Sequence, residues 1–134
     1  MASLYSAVMH RQRAMLPFLV ALAVATSACV TENRPADCDE PEKTIELTVT
    51  AVALQPNDPA ACRDQVVTLL VGSEVDGVIH IHGLDALVPA TTITAGEEIA
   101  LEFTAERSGQ FPIELHPADD PQGVSVGIFT VHER

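Results

Sequence analysis

Apolar residues occupy every second position in several short stretches of this chain. The pattern is clear across 45–53 and across 99–103, where the residues between them are mostly polar. Successive side chains of an extended strand point to opposite faces, so this period predicts strands with one buried face. No helical period appears after residue 44. The predicted fold class is therefore all-β.

Turn-forming residues separate these stretches at short intervals. Asp76-Gly77 and Ser108-Gly109 predict turns, and the segments 55–63 and 117–123 predict longer loops. Pro112 predicts an edge position or a bulge in its strand. Short strands at this spacing are typical of a β-sandwich. About seven strands are predicted, at 45–53, 66–71, 78–83, 90–94, 99–103, 111–115 and 124–131.

The first 28 residues are predicted to be an export signal and not part of the fold. A basic patch at 10–13 precedes an apolar segment, 15–25, that is too short to span a bilayer comfortably. Small residues then lead to Cys29. Segments of these three kinds, in this order, are typical of a secretory signal.

The cysteine at the end of this signal resembles the lipidated cysteine of bacterial lipoproteins. That resemblance implies that Cys29 becomes the lipid-bearing first residue of the mature protein. Thr26 departs from the larger aliphatic residue usual at its position, and the alternative is an ordinary secretory signal in which Cys29 is incidental. We expect residues 1–28 to be a signal peptide, 29–43 an acidic tether and 44–134 the folded domain. The protein would be exported and lipid-anchored, in the periplasm or at the cell surface.

The charge balance limits the partners of the mature chain. All 19 acidic residues follow residue 28, where only five basic residues remain, an acidic excess of 14. Such a surface repels nucleic acid and anionic lipid headgroups alike. We therefore expect no nucleic-acid partner and membrane contact through the N-terminal lipid only. An envelope protein whose identity is unknown remains a partner to consider.

The remaining two cysteines form an even pair in a chain predicted to reach an oxidising compartment. A disulfide between Cys38 and Cys62 is predicted, closing a loop of about 24 residues and stabilising the fold by roughly 3 kcal/mol. The alternative is that both bind metal as thiolates. Their distance in sequence from the histidines and the lack of a Cys-x-x-Cys spacing disfavour it.

Three histidines predict a metal site. His80 and His82 lie two residues apart on one predicted strand, so their rings point to the same face. His116 lies near the end of a later strand. Imidazole is the commonest protein ligand of transition metals, and an all-imidazole site completed by carboxylate or water suits Cu(II) first and Zn(II) second. We predict His80, His82 and His116 as ligands of copper, with zinc as second choice.

Strand parity complicates this grouping. Phe111, Ile113 and Leu115 share the predicted core face, so His116 points away from the core. We expect the strand to end near Leu115 and the chain to turn at Pro117, which would let His116 reach the other two histidines. The alternative is that the histidines are solvent-facing or hydrogen-bonded and bind no metal.

Four segments in order resemble a cupredoxin-like domain over roughly residues 44–132. The run from His80 to Leu84 is similar to the first copper motif of multicopper oxidases, and Gly109-x-Phe111-x-Ile113 resembles the strand before the copper-binding cysteine of blue-copper proteins. His-x-His-Gly followed by Glu-Leu-His resembles small bacterial exported lipoproteins of this kind. The resemblance implies a Greek-key β-sandwich and a role with copper. The segments are 66–71, 79–85, 95–103 and 108–116.

Two departures narrow that role. Leu115 stands where the blue-copper cysteine would fall, and all three methionines lie within residues 1–15. Without thiolate and axial methionine, blue-copper electron transfer is not expected. One domain with three candidate histidines also cannot assemble the copper centres of a full multicopper oxidase.

No enzyme activity is predicted. The sequence holds no serine nucleophile motif, no glycine-rich phosphate loop and no redox Cys-x-x-Cys. The predicted function is an exported domain that binds a copper ion to buffer, carry or sense it. The alternative is a metal-free β-sandwich that serves as an accessory or interaction domain of the cell envelope.

Overall fold

The computed structural model describes residues 35–120 and 122–134. The predicted signal peptide, the lipidation at Cys29 and the first part of the acidic tether lie outside these residues. In the part that is described, no helix is long and apolar enough to cross a membrane. The strands are β1 (Glu42–Val49), β2 (Leu54–Gln55), β3 (Ala60–Cys62), β4 (Val66–Ser73), β5 (Gly77–Ile81), β6 (Thr91–Ile93), β7 (Glu98–Thr104), β8 (Gly109–Pro117) and β9 (Val124–His132).

The strands form two sheets, as the predicted β-sandwich requires. The first sheet has the order β2-β1-β4-β7, and the second has the order β3-β9-β8-β5-β6. The pairs β1·β4 and β3·β9 are parallel, and the other pairs are antiparallel. The all-β sandwich is confirmed, with the seven predicted strands observed within a few residues of their expected bounds.

The predicted loop 55–63 also contains pairing that the sequence pattern did not indicate. β2 pairs with the end of β1, and β3 pairs with β9 at the edge of the second sheet. Two and three residues are too few to show a period, so only the turn-forming residues around them are visible in the sequence. The bulge expected at Pro112 is present next to it, between Ile113 and Glu114. Its strand is central and not at an edge.

The core lies between the sheets and is built from the alternating apolar residues. In β4, Val67, Leu69 and Val71 are buried while their neighbours are more exposed. Phe103 from the first sheet meets Phe129 from the second, with ring centroids 5.7 Å apart in an edge-to-face arrangement. The two sheets therefore share one apolar interior.

The end of the predicted tether packs against the sandwich. Cys38 is buried and is joined to Cys62 by a disulfide, as predicted, so neither is a free thiolate. Lys43 donates a hydrogen bond to Asp37 and holds the pKa of that carboxyl below its usual value. The packed part of the chain thus begins before residue 44.

The C-terminal residue, Arg134, is hydrogen-bonded to the segment 38–40. Arg134 donates from Nε to the carbonyl oxygen of Cys38 at 2.9 Å and from Nη2 to that of Glu40 at 3.2 Å. The two ends of the described domain therefore lie side by side.

Gln65 links the segment 37–40 to Cys62 from inside the fold. Its side chain is fully buried. Its Nε2 donates to the carbonyl oxygens of Asp37 and Glu40, both at 2.9 Å, and its Oε1 accepts from the backbone N–H of Cys62 at 2.7 Å. One amide thus satisfies three backbone groups from two segments.

Replacing Gln65 with alanine is expected to lower the free energy of unfolding by about 2 kcal/mol, because it leaves a buried N–H and two carbonyl groups without this partner. Chemical denaturation measures the change. Gln110→Ala, at an exposed position, is the matched control and should change stability by less than about 0.5 kcal/mol. Equal stabilities for the two variants would contradict the role given to Gln65.

Candidate metal centre

The central strands β5 and β8 bring the candidate ligands together. In β5, Ile79 and Ile81 face the core, so His80 between them faces outward. In β8, Ile113 and Leu115 face the core, so Glu114 and His116 face outward. The antiparallel register sets His80 opposite Glu114 and Val78 opposite His116. The three polar side chains therefore share the outer face of one sheet.

Their ligand atoms lie close to one another. The Oε2 atom of Glu114 is 3.8 Å from Nδ1 of His80 and 3.8 Å from Nε2 of His116. One ligand atom from each of the three lies within 4.8 Å of the other two. Metal–ligand bonds of about 2 Å place ligand atoms roughly 3–4 Å apart. Small side-chain movements would therefore let all three reach one ion.

The partial burial of the group suits metal binding. The side chain of His80 is 17% exposed, that of Glu114 33% and that of His116 37%. The surrounding sheet holds each backbone position fixed, while solvent can still reach the ligand atoms. An ion could therefore enter without opening the sandwich.

His116 reaches the site without the turn that the sequence analysis expected. β8 does not end near Leu115 but continues through His116 to Pro117. That expectation was wrong, because His80 also points away from the core and no turn is needed to reach it. The register between β5 and β8, which the sequence pattern does not specify, brings outward-facing residues of both strands next to each other.

His82 lies beside this group but is not a member of it. Its ring is exposed, and its centroid is 5.5 Å from that of His80, nearly perpendicular to it. Its backbone N–H donates to the carbonyl oxygen of Pro112 at 2.8 Å. The predicted grouping of three histidines thus differs in one member, since Glu114 occupies the position closest to His80 and His116.

The predicted set of three histidines leaves out Glu114. The spacing that joins His80 to His82 also joins Glu114 to His116. Two residues of separation place Glu114 and His116 on one face of β8. A Glu-x-His pair beside a His-x-His pair was therefore the available signal.

A turn after His82 places a carboxylate behind His80. Gly83 has a φ of +86°, a conformation that favours glycine, and it lies two residues after the end of β5. The backbone N–H of Gly83 donates to Asp85 Oδ2 at 3.1 Å, and the other oxygen of Asp85 contacts Nε2 of His80. The hydrogen bond with His80 is the largest cause that holds the pKa of Asp85 below its usual value. The second ring nitrogen of His80 thus meets an ionised carboxylate.

The loop before β9 packs on the ring of His116. A Cβ atom added to Gly123 would lie 2.6 Å from Cε1, 2.8 Å from Nε2 and 3.1 Å from Nδ1 of that ring. These separations are shorter than contact distances between such atoms. Only glycine fits at position 123 while the ring keeps its place.

Replacing Gly123 with alanine is expected to push the His116 ring out of the group and lower Cu(II) affinity roughly tenfold, although no ligand is removed. Isothermal titration of the metal measures the effect. Gly72→Ala is the control, because a Cβ there meets only the carbonyl oxygen of Leu47 at 3.7 Å. Unchanged affinity in the Gly123 variant would show that the ring position does not matter for binding.

No family model and no curated protein matches the chain. Solved structures do resemble it. A multi-copper oxidase from Pseudomonas thermotolerans aligns with a TM-score of 0.53 and 18% identity over 69% of this chain and 30% of the oxidase. The fold is cupredoxin-like. At this identity the likeness concerns the fold alone.

Two further oxidases resemble the cupredoxin-like domain to the same degree. A blue copper oxidase from Nitrosomonas europaea has a TM-score of 0.52 and 18% identity over 69% of this chain and 39% of its own. A multicopper oxidase from Campylobacter jejuni has a TM-score of 0.53 and 16% identity over 71% of this chain and 26% of its own. The chain spans less than two fifths of each of these proteins.

Proposed function

We propose that this cupredoxin-like domain binds a copper ion through His80, Glu114 and His116. The observation that carries the proposal is the meeting of two imidazoles and one carboxylate on the outer face of β5 and β8, each Glu114–histidine pair 3.8 Å apart. The solved structures of similar fold include a multi-copper oxidase and a blue copper oxidase. His82, whose ring lies next to that of His80, is proposed as an outer donor that adds little to the affinity.

The donor types support copper in its divalent state. Imidazole and carboxylate suit Cu(II), which also lies above Zn(II) in the general order of divalent affinities. The described residues contain no methionine, and Cys38 and Cys62 are bonded to each other. The soft sulfur donors that favour Cu(I) are therefore missing from this part of the chain. Zinc is the second choice of ion.

The proposed role is to buffer, carry or sense copper outside the cytoplasm, on a lipid-anchored protein of the exported His-x-His-Gly and Glu-Leu-His type. The signal-like segment 1–28, the cysteine at position 29 and the disulfide support export. The site is a binding site with no catalytic group assigned to it.

Loading the purified protein with Cu(II), followed by dialysis and metal analysis, tests the proposal. Wild type should retain about one copper per chain, and the His80→Ala/His116→Ala double variant should retain none above background. His132→Ala, which removes a histidine from the far end of β9, is the control and should retain as much as wild type. Equal retention by wild type and the double variant would refute the site.

A metal-free accessory domain is the second candidate. It is favoured by the contact of His80 with Asp85, which gives the ring a partner when no ion is bound, and by Leu115 at the position where blue-copper proteins carry cysteine. Such a domain would dock an envelope protein and would fail to retain copper in the same dialysis experiment.

A further inference from the structure

We infer that Asp85 is a positioning residue that fixes the ring of His80, so that its Nδ1 atom faces Glu114 and His116 ready to bind the ion. The inference deepens the proposed metal function and rests on it. It starts from the two opposite contacts of one ring. Nε2 of His80 meets a carboxylate oxygen of Asp85, while Nδ1 lies 3.8 Å from Oε2 of Glu114.

The chemistry of the two groups decides where the ring proton lies. An ionised carboxylate only accepts hydrogen bonds, so the ring nitrogen that touches Asp85 must carry the proton. A neutral imidazole has one N–H, and the opposite nitrogen then holds a lone pair. For His80 that nitrogen is Nδ1, on the side of Glu114. Asp85 thus selects the tautomer that a metal ion needs.

Asp85 can do this because the turn holds it in place. Its second oxygen accepts from the backbone N–H of Gly83 at 3.1 Å, and that glycine has a φ of +86°, a conformation that few other residues adopt. Leu84 is buried, and its N–H bonds to the carbonyl oxygen of Ile81 at 3.0 Å. The carboxylate is therefore fixed relative to the end of β5, although its own side chain is 59% exposed.

This arrangement matches the way proteins orient histidine ligands. A histidine that binds a metal through one nitrogen usually donates its other N–H to a carboxylate, carbonyl or water, which fixes the ring and raises its basicity. Loss of such a partner usually lowers metal affinity by about 10–100-fold. His80 has this partner five residues away in its own turn.

Asp85→Ser tests the contact with His80 separately from the contact that Asp85 makes within the turn. A serine hydroxyl can still accept from the N–H of Gly83 but is too short to reach His80. Asp85→Asn has one amide oxygen and one NH2 group, so it can accept in only one of the two contacts. Copper affinity, measured by competition with a chelator, should fall in both variants, with the Ser variant weakened about 10–100-fold. Glu102→Ala, which removes one exposed carboxylate from the first sheet, should bind as wild type does.

The second measurement needs no metal. Long-range 1H–15N NMR of the metal-free protein, at a mildly alkaline pH where histidine is neutral, reports which nitrogen of each ring is protonated. His80 should be in the Nε2–H form in wild type and should become a mixture of both forms in the Ser variant. An unchanged tautomer and unchanged copper affinity in the Ser variant would overturn the inference.

The two measurements separate the two claims. A wild-type protein that shows the fixed tautomer but binds no copper would refute the metal function and leave the role of Asp85 in orienting the ring. Copper binding that is equal in wild type and the Ser variant, with a tautomer that changes, would keep the metal function and overturn the link from Asp85 to the ion.

Discussion

His116→Ala is expected to weaken Cu(II) binding by roughly a hundredfold or more, while His82→Ala changes it less than about threefold. A structural metal site is worth about 10 kcal/mol or more, so the loss of one of three ligands removes roughly 3 kcal/mol. His116 has its Nε2 3.8 Å from the carboxylate of Glu114, whereas His82 is exposed and outside the group. The two substitutions remove the same type of side chain, one inside the group and one beside it.

Titration in competition with a chelator of known affinity measures both variants on one scale. Glu114→Gln completes the comparison, because it keeps the size of the side chain while removing the anionic donor. We expect it to resemble His116→Ala. A larger loss for His82→Ala than for Glu114→Gln would show that the ion is held by the three histidines predicted from the sequence.

Removing the disulfide is expected to be the largest change in stability available at a single covalent link. Cys38 and Cys62 are 24 residues apart and both are buried. Opening a loop of this length releases conformational entropy in the unfolded chain, and Cys38→Ala/Cys62→Ala should lower the free energy of unfolding by about 3 kcal/mol. For a domain of about 100 residues, that is a large fraction of the total stability.

Denaturation with guanidinium chloride measures this change, and wild type under reducing conditions provides the control. The reduced wild type should unfold near the midpoint of the double variant, because both lack the same cross-link. A double variant within about 1 kcal/mol of oxidised wild type would mean that the hydrogen bonds of Gln65 hold the N-terminal segment without help.

The sequence period was enough to predict the fold class, because strands such as β1 and β7 are long enough to alternate visibly. Two short strands, β2 and β3, were not predicted. They exist because neighbouring strands offer unpaired edges, which is a property of the assembled sheets and not of the residues 54–62 themselves.

The candidate site was only partly predictable for a related reason. Spacing within a strand shows which residues share a face, and that reasoning placed His80 with His82 and set His116 away from the core. It does not show which outward residues of β5 and β8 become neighbours, because the register between strands depends on the whole sheet. Glu114 and Asp85 gain their importance from contacts across strands and within a turn, which no single-strand pattern displays.

The contact between the two ends of the described chain lies away from the candidate metal centre. Arg134 follows the end of β9 and donates a hydrogen bond to the carbonyl oxygen of Cys38. At that end of β9, His132 pairs with Cys62. Near the beginning of β9, Ser125 pairs with Glu114. Seven residues of extended chain span about 23 Å. The segment around Cys38 therefore lies near one end of β9, and the group of His80, Glu114 and His116 lies near the other, so the two are separated along the length of the sandwich.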